Sequence, residues 1–190
     1  MGNIVISENT SIDGVIQDPT GDEGFRVGGW FTRLAGKDRE AWAKIEFDEA
    51  LGADALLLGR RTYEWLIERG WVTRQDDWAQ RLRSMPKYVV SSSLTDPVWE
   101  NSTVLRGDVV DEVAALKRSV TGDIVVNGSG KLVHALFEHD LVDEVRLMVY
   151  PYVLGDGDRV FGRTSEWKPM RLVDTRPVGD TLVSLTYRRA

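Results

Sequence analysis

The chain has no cysteine, which rules out disulfides, thiolate nucleophiles and cysteine-based metal sites. It has only two histidines, His134 and His139. They lie five residues apart on one expected helix and so do not share a face. With no third soft ligand beside them, no metal site is expected. His139 suits a cation near a helix C-terminus. No apolar run approaches the ~20 residues that a membrane-spanning helix needs. The N-terminus, MGNIVISEN, lacks the basic start and apolar core of a signal peptide, and Ile6 stands where a myristoylation signal requires Ser or Thr. Basic residues are the minority, 24 Lys and Arg against 30 Asp and Glu, for a formal charge of −6. That balance argues against nucleic acid or an anionic membrane as the main partner, while still allowing a local basic pocket. These absences lead to the expectation of a cytoplasmic, acidic protein with no nucleic-acid or membrane partner.

What is present suits one domain over residues 1–190, with 42% hydrophobic and 28% charged residues. Asn3 to Ser7 reads as a first strand, and the stretch SIDGVIQDPTGDEG as loop. Asp38 to Leu51 has helical periodicity, with Trp42, Ile45 and Glu49 on one face and Gly52 as the stop. ALLLG reads as a buried strand, RTYEWLIERG as a helix, KYVVSSS and TVLRG as strands. DVVDEVAALKRSV is an amphipathic helix with Asp108 at its start and Lys117 and Arg118 near its end. DIVVNGSG runs from strand into a glycine loop, KLVHALFEHD is a helix, and DEVRLMVYPYV a long strand. The tail reads as two strands joined at Gly179-Asp180. Strands alternating with helices and closed by a hairpin predict a mostly parallel α/β sheet with an antiparallel edge, and ligands bind such sheets beyond the carboxyl ends of the strands.

Three of those strand ends carry small or basic residues suited to phosphate: Gly59, Arg60, Arg61 and Thr62; Ser91, Ser92 and Ser93; Asn127, Gly128, Ser129, Gly130 and Lys131. Glycines allow close backbone approach, helix N-termini offer free N–H groups, and arginine offers forked donors. The glycine loop fits none of the familiar signatures. Val133 replaces the third glycine of a dinucleotide-binding fingerprint, a P-loop would need Gly at Val125, and a nucleophile elbow would need glycines at Asn127 and Lys131. GSG taken alone equally suits a tight strand-to-helix turn. Seven tryptophans is a high count for this length. Trp30, Trp42 and Trp65 flank the expected cleft, where they suit either stacking on a flat heterocycle or packing. Glu46, one turn beyond Trp42, suits either the pocket or solvent.

LLLGRRTYE resembles the G-R-x-T-[YW]-E segment of the dihydrofolate reductase superfamily, and KYVVSSS resembles that superfamily's next strand. VVNGSGKLVHALFEHDLVDEVRLMVYPYVLGDGDRVF most resembles the C-terminal reductase domain of the bifunctional riboflavin-biosynthesis deaminase–reductase, and SIDGVI resembles the same branch's S-x-D-G loop. The resemblance covers essentially the whole chain. It implies an eight-stranded mixed sheet with helices on both faces, NADPH as cofactor, and hydride transfer to a C=N or C=O bond of a pterin-like or pyrimidine-like compound. The implied activity is that of a 5-amino-6-(5-phosphoribosylamino)uracil reductase. By position, Gly59, Arg60, Arg61 and Thr62 would hold the 2′-phosphate and pyrophosphate, and Ser91, Ser92 and Ser93 the adenosine end. Gly128, Ser129, Gly130, Lys131 and Leu132 would wrap the pyrophosphate. Ile12, Asp13 and Gly14 would sit near the nicotinamide.

Counting back along the chain, the carboxylate that binds the pterin in dihydrofolate reductases falls near Ala43, with Glu46 and Asp48 as neighbours but not clear equivalents, and no zinc-binding deaminase domain is present. Trp30, Phe31, Phe47 and Trp65 are the expected substrate-side residues, with Asp13 and Glu46 as the catalytic acids. Folate reduction and a non-catalytic NADPH-binding module are the alternative functions. A homodimer through VRLMVYPYV and the C-terminal hairpin is also expected.

Overall fold

The computed structural model describes all 190 residues. Eight strands form one sheet: β1 (Asn3–Ser11), β2 (Ala55–Gly59), β3 (Lys87–Val90), β4 (Ser102–Leu105), β5 (Asp123–Asn127), β6 (Glu144–Tyr150), β7 (Met170–Val178) and β8 (Leu182–Arg189). Their spatial order is β4-β3-β2-β5-β1-β6-β8-β7. The first six are mutually parallel, and β8 is antiparallel to both β6 and β7. The expected mixed sheet with a C-terminal hairpin is thus what forms.

Five helices cover it: α1 (Gly36–Gly52), α2 (Arg60–Glu68), α3 (Asp77–Ser84), α4 (Val109–Ser119) and α5 (Gly130–Glu138). Strand alternation sorts the cores. Ile4 and Ile6 with Leu57, Ile124 and Val126 face α4 and α5. Val5 with Leu56, Leu58 and Val125 faces α1, α2 and α3. Each such buried aliphatic side chain stabilises the fold by roughly 1.5–3 kcal/mol. None of the helices is long and apolar enough to cross a membrane.

Three departures from the sequence reading stand out. Helix α3 is short and amphipathic, burying Ala79 and Leu82, and is absent from the sequence reading; the Asp76 carboxylate caps it by accepting from the Ala79 N–H at 3.1 Å. More consequentially, β1 does not stop at Ser7 but continues through Glu8, Asn9, Thr10 and Ser11, because β6 pairs with all four beyond the end of β5. Three of these polar residues, Glu8, Thr10 and Ser11, are buried. Conversely β6 ends at Tyr150, since Pro151 has no N–H for the ladder.

Candidate functional site

The connection from β1 through α1 runs toward β2, and the one from β5 through α5 runs toward β6, over opposite faces of the sheet. The crevice outside the carboxyl ends of β1 and β5 is therefore a topological switch point, the place where open α/β sheets bind ligands. The ends of β2, β3 and β4 extend the same edge.

At that extension lies a polar basin of about 410 Å³ lined by Arg60, Val90, Ser91, Ser92, Ser93, Leu105, Arg106 and Gly107. Arg60 heads α2 directly after β2, and Arg106 directly follows β4. No carboxylate lines the basin. Arg60 is held by Glu64 at 3.0 Å, but both side chains are more than two-fifths exposed, so the pair contributes little and does not commit the guanidinium. Ser91 braces the turn, its Oγ accepting from Leu94 N–H at 2.9 Å and Ser93 N–H at 3.2 Å. Ser92 and Ser93 are exposed. Arg106, absent from the sequence-derived set, joins through the β3–β4 pairing. Arg61 points elsewhere: it is highly exposed, and its nearest acid is Glu23, 3.8 Å away in the loop after β1.

The glycine loop stands beside this basin. Gly128 and Ser129 both have positive φ, 56° and 62°, which turns the chain sharply into α5. A side chain at Gly128 would press on Thr62 at 3.3 Å in addition to that strain. Ser129 Oγ accepts from the Gly59 N–H at 2.9 Å and donates to Thr62 Oγ1 at 2.9 Å, tying the loops after β2 and β5 together. Asn127 reaches the Ser7 carbonyl at 3.4 Å. Lys131 is exposed. Leu132 turns its side chain into the core, so it supports the loop from beneath and can face a ligand only with its backbone. Ser129→Ala is expected to lower stability by about 1–2 kcal/mol in urea unfolding, because the Gly59 N–H and the Thr62 hydroxyl lose their partner.

On the α1 face of the crevice a second group assembles. Asn9 Oδ1 accepts from Trp42 Nε1 at 2.8 Å and from the Tyr150 hydroxyl at 3.0 Å. Phe31 meets Trp42 edge-on, with ring centroids 4.9 Å apart. Glu46 lies one turn along α1. As a residue it is only partly covered, yet burial of its carboxyl, with Glu49 repelling its charge, lifts its pKa to about 8; the nearby Trp42 indole offsets part of the rise. Glu46 is therefore largely a neutral acid at neutral pH. Burial, with Glu46 nearby, also pushes the Tyr150 phenol well above its ordinary range, so it remains a hydroxyl. Asp48, by contrast, faces solvent and pairs with Lys44.

The remaining sequence-derived candidates separate. Asp13 accepts from Ser11 Oγ at 2.7 Å, Leu154 N–H at 3.1 Å and Gly155 N–H at 2.8 Å. Those bonds, the serine's first, draw its pKa down to about 2. This is a loop brace, not the proton source expected of a catalytic Asp13. Ile12 is 62% exposed, and Gly14 forms the tight turn with φ 84°. Trp30 is buried against Tyr150 and donates to the Gln17 carbonyl at 3.1 Å. It is a core residue, since its ring fills the space behind the site rather than lining a pocket. Phe47 rests on Trp78, and Trp65 carries the Arg69 guanidinium over its ring. Of the expected substrate-side residues, Phe31 and Glu46 are brought together, while Asn9 and Tyr150 were missed. Glu8 was missed as well. It is 6% exposed on the α5 face, beneath Gly128, with Oε1 lacking any hydrogen-bond partner.

Among solved structures, a putative riboflavin biosynthesis protein from Shewanella sp. PV-4 superposes with a TM-score of 0.77 at 21% identity, over 99% of each chain. Dihydrofolate reductase from Enterococcus faecalis complexed with NADP(H) gives 0.64 at 16%, over 98% of this chain and 96% of that one. Acinetobacter baumannii RibD gives 0.64 at 12%; this chain is covered completely but spans 58% of that protein. The fold is thus dihydrofolate reductase-like. In sequence, the uncharacterized Bacillus subtilis proteins YyaP and YwjB are 26% identical over 141 residues and 29% identical over 137 residues. These matches cover 70% and 72% of this chain, and 73% and 74% of the relatives. The model of the RibD C-terminal domain matches residues 3–184, from the first residue of β1 into β8, and the chain belongs to that family.

Proposed function

We propose that the protein is an NADPH-dependent reductase that transfers a hydride to a C=N or C=O bond of a small pterin-like, pyrimidine-like or carbonyl compound. The observation that carries this reading is the basin in which Arg60 and Arg106 meet Ser92 and Ser93 with no acid in its lining. Two guanidinium groups and two hydroxyls match a phosphomonoester dianion, the feature that separates NADPH from NADH. The N–H groups at the start of α5, next to Gly128 and Gly130, suit the pyrophosphate. When bound, NADPH supplies the hydride. Arg60 and Arg106 hold its 2′-phosphate, the Gly128–Gly130 loop accommodates the pyrophosphate, and the β1–β5 crevice receives the nicotinamide end. Glu46, neutral and next to the substrate side, holds the proton that a reduced C=N or C=O bond requires.

The direct test is calorimetric titration of NADPH and NADH into the protein. Tight NADPH binding with NADH at least about tenfold weaker supports the reading, one charge-assisted hydrogen bond being enough for that gap. Equal or absent binding overturns it. A screen of NADPH oxidation against pterins, aminouracils and small carbonyls then identifies the substrate. No turnover with any of them would favour a non-catalytic NADPH-binding module. Folate reduction is disfavoured because, counting back from the GRRT segment, the position of the pterin-binding carboxylate falls near Ala43, which has none.

The same reading includes a homodimer. Phe161, Leu172 and Val183 are exposed on and beside the β6–β8–β7 end of the sheet, around an apolar groove of about 470 Å³ floored by Leu147, Leu185 and Tyr187. A second copy is the simplest cover for such a patch. Light scattering giving only the 21.4 kDa mass of one chain would sink this.

A further inference from the structure

We infer that Glu8 controls the cofactor site: a pyrophosphate binds at the start of α5 only while the Glu8 carboxyl beneath the glycine loop is protonated, so that cofactor binding at alkaline pH takes up a proton. The inference rests on the reductase reading above and adds a control on its cofactor affinity.

Strand register puts Glu8 under that loop. β1 and β5 pair as far as Ser7 and Asn127, so the next residues, Glu8 and Gly128, stand side by side where the chain leaves β5 for α5. The Glu8 side chain falls on the same face of β1 as Ile4 and Ile6, which pack with Leu132, Val133 and Leu136 of α5. Glu8 is 6% exposed, and its Oε1 is closed off from solvent with no hydrogen-bond partner. Ionised, it would be a buried charge without compensation. The Gly128 and Ser129 N–H groups find no backbone acceptor, and that of Gly128 acts on the Glu8 carboxyl. The same N–H groups are the ones that suit a pyrophosphate. The loop has little room to withdraw from Glu8. A Cβ at Gly128 would meet Thr62 at 3.3 Å, and one at Gly130 would meet Ile16 at 3.1 Å.

Two anions therefore compete for one set of donors. Ionised, Glu8 draws the Gly128 N–H to itself and repels a phosphate; neutral, it does neither. Few other charges intervene. Opposite Glu8 on β6 is Leu147. α5 carries Lys131, which is exposed, and His134, whose Nε2 engages the Arg159 carbonyl at 2.9 Å. In the loop after β1, Asp13 is taken up by Ser11, Leu154 and Gly155. Glu46, across the sheet on α1, is the one charge that acts on Glu8. Burial brings the Glu8 carboxyl to titrate at about 8. When only the protonated form binds, the dissociation constant is steady below that value and rises about tenfold between pH 7 and 9.

Isothermal titration of NADPH and of NADH at pH 7 and 9 tests this. Both carry the same pyrophosphate, so both should lose about tenfold in affinity, whereas an effect at the 2′-phosphate would touch NADPH alone. Repeating the pH 9 titration in buffers of different ionisation enthalpy should show about one proton taken up per cofactor bound. In Glu8→Gln, which keeps the shape and cannot ionise, the affinities at the two pH values should match and the uptake should vanish. Glu8→Leu gives the same readout if Glu8→Gln does not fold. Glu46→Gln should keep the loss. A wild-type affinity that does not change with pH, no proton uptake, a loss confined to NADPH, or a loss that persists in both Glu8 variants overturns the inference and leaves the reductase reading standing. If the wild type binds neither cofactor at pH 7, both fall together.

Discussion

Replacing Arg60 and Arg106 together with alanine is expected to weaken NADPH binding by about a hundredfold or more, while NADH binding barely moves. Each guanidinium lines the basin beyond β2, β3 and β4, and a charge-assisted hydrogen bond is worth about 1.5–3 kcal/mol. At about 1.4 kcal/mol per tenfold, Arg60→Ala alone should cost at least about tenfold, and the double variant the product of two such losses. The basin is open to solvent, so the discrimination should shrink as salt rises. Arg61→Ala should change little, because its guanidinium is 75% exposed and faces Glu23 instead of the basin. Fluorescence titration of both cofactors against wild type and the three variants checks all of this. Equal losses for NADPH and NADH would mean that the arginines support the loops without reading the 2′-phosphate.

The second large effect concerns stability. Glu8→Gln is expected to stabilise the protein at alkaline pH by roughly 3–5 kcal/mol, each tenfold change in proton affinity between the folded and unfolded chain being worth about 1.4 kcal/mol. Burial lifts the Glu8 carboxyl from 4.5 to about 8; the Gly128 N–H lowers it somewhat, and Glu46 adds to the rise from the other face of the sheet. A carboxyl with a raised folded pKa binds its proton more tightly folded than unfolded. Below about pH 4.5 both states are protonated and nothing is lost. Between about pH 4.5 and 8 the unfolded chain releases the proton and the folded one does not, so stability falls throughout that window and levels off above it. Urea unfolding at pH 5, 7 and 9 should show a drop in wild type that is smaller in Glu8→Gln. Some decline should persist in the variant, since Glu46 is raised to a similar value. Parallel curves would show that Glu8 is solvated and ionised throughout. A neutral Glu8 also keeps negative charge away from the loop proposed to hold the pyrophosphate.

Much of the proposed nucleotide side was legible in the sequence because its determinants are local. ALLLG stops at a glycine before a helical period, and DIVVNGSG does the same. A glycine, an arginine or a run of serines at the end of a buried strand declares itself within a few residues. Local order also announced the hairpin, the alternation of strands with helices and hence the parallel sheet.

Of the proposed substrate side, Phe31 and Glu46 were legible and the rest was not, for one reason. Glu8 and Asn9 are polar and follow an apolar run, so they read as the start of a loop. They are strand only because β6 pairs with them past the end of β5. Asn9 acquires its fixed orientation from Trp42, 33 positions away, and Tyr150, 141 positions away. Arg106 enters the basin because β4 lies beside β3, and Arg61, one position past Arg60 on α2, turns toward Glu23 instead. Trp30 and Phe31 are neighbours in sequence, yet one fills the core and the other touches Trp42. Composition and local pattern by themselves determined that this chain makes an α/β sheet with phosphate-suited ends. Only the tertiary structure decided which polar groups lose their water, which acids stay neutral and which side-chain amide is fixed in direction, because burial and hydrogen-bond direction are set by partners distant in the chain.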